Sequence, residues 1–131
     1  MPKETVLIAD DDKVFVQFAL DVLRSQGFQA LAAFDATQAL MMTQRNLPAL
    51  IIVDINMPGG TGIGFLEKIR QSGKTMGIPA VAVSTAHDDG VSARLRQLNV
   101  TQYLHKPISA AALQTAVNEA LGRTPPPAAP A

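Results

Sequence analysis

The 131-residue chain balances eleven Lys+Arg against eleven Asp+Glu, for a formal net charge of zero and a pI of about 6.7, and it has no cysteine. A chain of this length buries roughly two-thirds of its unfolded surface, enough for one core and one domain. Charge balance argues against a polyanion-binding surface and so against direct nucleic-acid binding. The lack of cysteine removes disulfides and thiolate metal sites and fits a reducing, cytoplasmic setting.

The first apolar run predicts a strand over Thr5 to Ala9. Its apolar core, Val6 to Ala9, is far short of a signal or membrane segment, and it ends on three consecutive aspartates, Asp10, Asp11 and Asp12. A helix is expected to start after Asp12, whose carboxylate suits an N-cap, and to stop near Gly27, a residue suited to a left-handed cap. Its apolar positions include Phe15, Phe18, Val22 and Leu23. A second strand is predicted over Phe28 to Phe34. The following helix, Ala36 to Arg45, has its stripe blurred by Thr37, Met42 and Thr43 and is stopped by Asn46 and Pro48. The third strand, Leu50 to Asp54, again ends on an aspartate, and a Gly59-Gly60-Thr61-Gly62 loop leads into helix three, with Thr61 as its cap. Strand four is predicted over Ala80 to Ser84 and strand five over Val100 to Leu104. The helices around strand five carry stripes at Val91, Leu95 and Leu98 and at Leu113, Val117, Ala120 and Leu121. Residues 1–122 thus read as one domain, and 123–131, almost wholly proline and alanine, as an extended, mobile tail.

Five short strands alternating with five helical stretches give an α/β fold around a parallel sheet, with helices on both faces. In such sheets functional groups gather beyond the carboxyl ends of the strands. Asp10 and Asp11 follow strand one, Asp54 ends strand three, Thr85 follows strand four and Lys106 follows strand five. Carboxylates converging on one rim repel each other unless a hard cation joins them, so an acidic divalent-metal pocket is expected.

Four motifs, each weak alone, resemble in order the receiver domain of bacterial two-component response regulators: Asp10-Asp11-Asp12, Asp54-Ile55-Asn56-Met57-Pro58, Ser84-Thr85-Ala86 and Tyr103-Leu104-His105-Lys106-Pro107. The resemblance covers about Thr5 to Leu121. It implies a flavodoxin-like, doubly wound (βα)5 fold with a five-stranded parallel sheet of order 2-1-3-4-5. It also implies that Asp54 accepts a phosphoryl group from a histidine kinase or phosphotransfer protein with Mg²⁺ or Mn²⁺ as cofactor. By similarity, Asp11 binds the metal directly, Asp10 through water, Asp54 by its second oxygen and Asn56 by its backbone carbonyl. Lys106 serves the phosphoryl group, its bond to Pro107 is cis, and Thr85 and Tyr103 form the switch. Phosphoryl transfer needs an in-line nucleophile and cations to neutralise the equatorial oxygens, which these residue types supply.

The chain departs from the pattern at Gly59 to Gly62, where Asp-Gly is usual, and the resemblance implies that His87, two residues after Thr85, stands at the pocket mouth. The expected role is a signalling module rather than a turnover enzyme, passing its signal through the helix 4–strand 5–helix 5 face. The recipient is a downstream protein or a fused output domain, and phosphorylation can drive homodimerisation; no nucleic-acid or membrane partner is expected. A degenerate receiver used only for interaction is an alternative. A haloacid-type aspartyl-phosphate phosphatase is another, but it wants a second acid where Asn56 stands, and a flavodoxin-like cofactor binder would set its phosphate against three aspartates.

Overall fold

The alternating pattern resolves into ten elements in a computed structural model that describes residues 4–57, 61–85, 89–100 and 102–123. They are β1 (Thr5–Ala9), α1 (Lys13–Ser25), β2 (Gln29–Ala33), α2 (Ala36–Asn46), β3 (Leu50–Asp54), α3 (Gly62–Arg70), β4 (Ala80–Ser84), α4 (Asp89–Gln97), β5 (Gln102–His105) and α5 (Ala110–Ala120). All neighbouring strands pair in parallel, in the order β2-β1-β3-β4-β5. The fold class and strand order expected above are those observed.

Period-2 alternation assigns side chains to two cores, one on each face of the sheet. Val6, Ile8, Leu50, Ile52, Val81 and Val83 pack under α1 and α5, meeting Phe15, Leu23, Leu113 and Val117. Leu7, Ile51, Val53, Ala80 and Ala82 face α2, α3 and α4, meeting Ala39, Phe65, Leu66, Ile69 and Leu95. β3 and β4 are buried along their whole length, which is why their limits were readable from apolar runs alone.

The helix ends follow local chemistry. Asp12 Oδ1 accepts from the Val14 and Phe15 amides at 3.0 and 3.2 Å. Thr61 Oγ1 accepts from Gly64 N at 2.9 Å, so the expected caps of α1 and α3 both form. Gly27, at φ 90°, closes α1: its N–H reaches Arg24 O and that of Phe28 reaches Leu23 O, the paired bonds of a Schellman motif. That closure takes Phe28 out of β2. Asn99, at φ 61°, ends α4 in the same way, with Val100 N donating to Leu95 O, so Val100 finishes the helix turn instead of opening β5. Thr43, which blurred the α2 stripe, is fully buried, its hydroxyl donating to Ala39 O at 2.7 Å.

At the base of the molecule, Arg70 at the end of α3 donates from Nε to Leu98 O at 2.7 Å and from Nη1 to Ile78 O and Met76 O at 2.7 and 3.0 Å. One side chain thereby ties α3 to the lead-in of β4 and the end of α4. Arg94 on α4 also bridges Glu67 on α3 at 2.7 Å. Arg123 pairs with Glu4 and lies over the Phe28 ring, 5.7 Å from its centroid. The rest of the expected tail, Thr124 to Ala131, lies outside the described residues.

Candidate functional site

At the carboxyl ends of β1 and β3, strand pairing sets Ala9 beside Val53, so Asp10 and Asp54 emerge from adjacent strands. One oxygen from each of Asp10, Asp11 and Asp54 lies within 4.8 Å of the others. Asp10 is fully buried and Asp54 is 7% exposed, whereas Asp11 is exposed. The turn after each strand steadies its carboxylate: the Asp12 amide donates to Asp10 Oδ1 at 2.9 Å, and the Asn56 amide to Asp54 Oδ1 at 3.0 Å.

Lys106 enters from β5, preceded by a backbone bond from its own N–H to Ser84 O at 2.8 Å and followed by a cis bond to Pro107, as the resemblance implies. Its ammonium sits 2.7 Å from Asp10 Oδ2 and 3.7 Å from both Asp12 Oδ2 and Asp54 Oδ2. It also rests on the face of Phe15, 4.6 Å from the ring centroid.

The two partners titrate asymmetrically. Burial pushes the Asp10 carboxyl up to about 6, further than Lys106 and the Asp12 amide can draw it down. Burial would lower the Lys106 ammonium, but Asp10, Asp54 and Asp12 outweigh it and hold it above its usual value. The Lys106 ammonium, 2.7 Å from the buried Asp10 Oδ2, draws that carboxyl down by hydrogen bonding more than by its charge alone. A buried, electron-rich oxygen beside two further carboxylates is a donor set that fits a hard divalent cation.

Thr85 is exposed just beyond β4. It lines an open groove of about 420 Å³ together with Asp12, Val14, Phe15, Phe18, Lys106, Pro107 and Ile108. Tyr103 is half-buried on β5, its ring 4.7 Å from that of exposed His105 and tilted 59° to it. Tyr103 also borders a shallow groove against α4 with Ser92, Leu95, Arg96 and Val100. The structure therefore brings Asp10, Asp11, Asp54 and Lys106 together, with Thr85 beside Lys106 in the groove and Tyr103 apart from them, three residues before Lys106 on β5 and paired with Ala82. Pro58, Gly59, Gly60, Ala86 and His87 lie outside the described residues.

Three contributions were not anticipated. Phe15 floors the ammonium, and Ser84 Oγ accepts from Asn56 Nδ2 at 3.3 Å, bracing the β3 turn against β4. Asp12, beyond its expected cap of α1 through Oδ1, also faces Lys106 with Oδ2. A helical stripe marks Phe15 only as apolar, so nothing in its spacing singles it out.

The profile of the response regulator receiver domain matches residues 6–118. The chain belongs to that family. It is a receiver domain of two-component signalling, a class of signalling modules. It is similar to the polar-differentiation response regulator DivK of Brucella anthropi, 28% identical over 109 residues that cover 83% of this chain and 88% of DivK. It is also similar to the phosphate regulon transcriptional regulatory protein PhoB of Escherichia coli, 27% identical over 121 residues. That match takes in 92% of this receiver domain and 53% of PhoB, so the chain spans about half of PhoB's length. Among solved structures, the receiver domain of a Francisella response regulator superposes with a TM-score of 0.81 at 28% identity, covering 92% of this chain and 98% of that one. No helix among the described residues is long and apolar enough to cross a membrane.

Proposed function

We propose that this receiver domain is controlled by phosphorylation of Asp54, with the phosphoryl group supplied by a histidine kinase or phosphotransfer protein. The observation that carries the reading is the convergence of Asp54 with Asp10 and Asp11 within 4.8 Å, and with the Lys106 ammonium at 3.7 Å. Asp54 Oδ1 is engaged by the Asn56 amide, which leaves Oδ2, facing Lys106, as the attacking oxygen. A Mg²⁺ or Mn²⁺ ion held by Asp10, Asp11, Asp54 and the Asn56 carbonyl would neutralise charge on the equatorial oxygens.

Lys106 then trades a carboxylate partner for a phosphoryl oxygen, which a compact point charge on a flexible stem does readily. Thr85 turns its hydroxyl towards the new phosphoryl group and Tyr103 moves inward, altering the α4–β5–α5 face that a downstream protein, a fused output domain or a second copy reads. A cytoplasmic setting follows from kinase partnership. Intact-mass measurement after incubation with Mg²⁺ and acetyl phosphate tests the acceptor: one base-labile phosphoryl group on the wild type and none on Asp54→Asn supports it. Equal modification of both proteins removes Asp54 from the mechanism, and sustained phosphate release at enzymatic rates would make the protein a phosphatase.

A further inference from the structure

Asp12 stands apart from the other acids of the rim. Its Oδ1 is occupied in capping α1, while Oδ2 lies 3.7 Å from Lys106 Nζ and the side chain is 46% exposed, in the wall of the groove that also includes Thr85. Asp10 and Asp54, by contrast, are buried beneath it. In an in-line displacement the leaving group departs on the side opposite the attacking carboxylate; Asp54 is buried, so departure is towards the solvent-exposed rim, where Asp12 shares Lys106 with it.

We propose that Asp12 is a specificity-determining residue for the phosphoryl donor, favouring donors with a nitrogen leaving group over acyl phosphates. The inference rests on Asp54 as the acceptor. With phosphoramidate, Asp54 Oδ2 forms the O–P bond, the P–N bond breaks, and the nitrogen, an ammonium in the donor, keeps the electron pair and leaves as neutral ammonia. A phosphorylated imidazole leaves in the same sense, its ring nitrogen taking the electron pair. With acetyl phosphate the same O–P bond forms, the bond from phosphorus to the acyl oxygen breaks, and acetate leaves as an anion. An exposed carboxylate beside the exit attracts a donor whose nitrogen carries positive charge on the way to the transition state, and repels the negative charge that builds on the departing acyl oxygen.

The experiment compares Asp12→Asn with wild type in saturating Mg²⁺, measuring phosphorylation rates with acetyl phosphate and with phosphoramidate. Asparagine retains the cap, so α1 stays formed. The acetyl phosphate rate should rise relative to the phosphoramidate rate by about threefold, the order expected of one unit charge about 6 Å away in a water-like dielectric. The gain should shrink towards unity in roughly 0.5 M salt, where the screening length is only a few ångströms. Asp12→Ser, which also caps, should reproduce it. An equal change with both donors, or a ratio indifferent to salt, overturns the inference while leaving Asp54 as acceptor. Phosphorylation of an Asp54→Asn control would instead overturn the acceptor assignment itself.

Discussion

Replacing Asp10 with asparagine should stabilise the metal-free protein near neutral pH, although it removes half of an ion pair. Asp10 is fully buried and its carboxyl is raised from 3.8 to about 6. A carboxyl raised on folding stabilises the native state in its protonated form: that contribution is complete below pH 3.8 and is lost as pH rises through about 6. About two pK units correspond to about 3 kcal/mol, so the ionised group burdens the fold by that amount near pH 7. The shift already includes the favourable pull of Lys106. Asparagine keeps an acceptor for the Asp12 amide but turns an NH₂ group on the Lys106 ammonium, a mismatch costing about 1–2 kcal/mol. The net gain is about 1–2 kcal/mol, or a Tm rise on the order of 4–8 °C. Thermal and urea denaturation in EDTA, followed by far-UV circular dichroism from acidic to neutral pH, measures it. The advantage should disappear near pH 4 and narrow near pH 7 when Mg²⁺ is added, because the ion relieves the wild type. A variant less stable than wild type at neutral pH, or a difference flat with pH, would refute the reasoning.

Gly62→Ala should be costly for a different reason. A Cβ there would lie 2.8 Å from the Ile55 Cα and closer still to the Asp54 carbonyl oxygen, and backbone cannot step aside as a side chain can. A loss of about 3 kcal/mol in urea denaturation is expected, with slower phosphorylation because the displaced segment carries Asp54; a loss below about 1 kcal/mol would show that α3 does not clamp β3. Arg70→Ala strips three carbonyls of their donor and should cost about 3 kcal/mol. Amide exchange should then accelerate at the lead-in to β4 and the end of α4, and unchanged protection at both places would contradict the tie.

The fold was legible where burial is complete. β1, β3 and β4 begin and end where their apolar runs do, because helices cover both faces and leave no polar alternation to blur them. The edges were less so: Phe28 and Val100 look like strand residues, yet each returns its N–H to the preceding helix, a choice made by the left-handed residue before it. At the site, the order of motifs along the chain identified the acids and Lys106, since strand ends dictate where they emerge. What chain order does not encode is contact through space. Phe15 under the ammonium, Ser84 bracing Asn56 and the second face of Asp12 depend on which way side chains turn once α1 and β4 are packed.

The Arg70 staple also constrains how α4 can move. Its C-terminal turn is fastened through Leu98, and Arg94 fastens the same half to α3. Displacement of this helix is therefore a swing about a fixed lower pivot, with little travel at the base and the most at its N-terminal end. Nine residues give a lever arm of roughly 13 Å. A small adjustment at the rim is thereby converted into a change of tilt and not a slide, and an observer stationed at the base of α4 would register almost nothing.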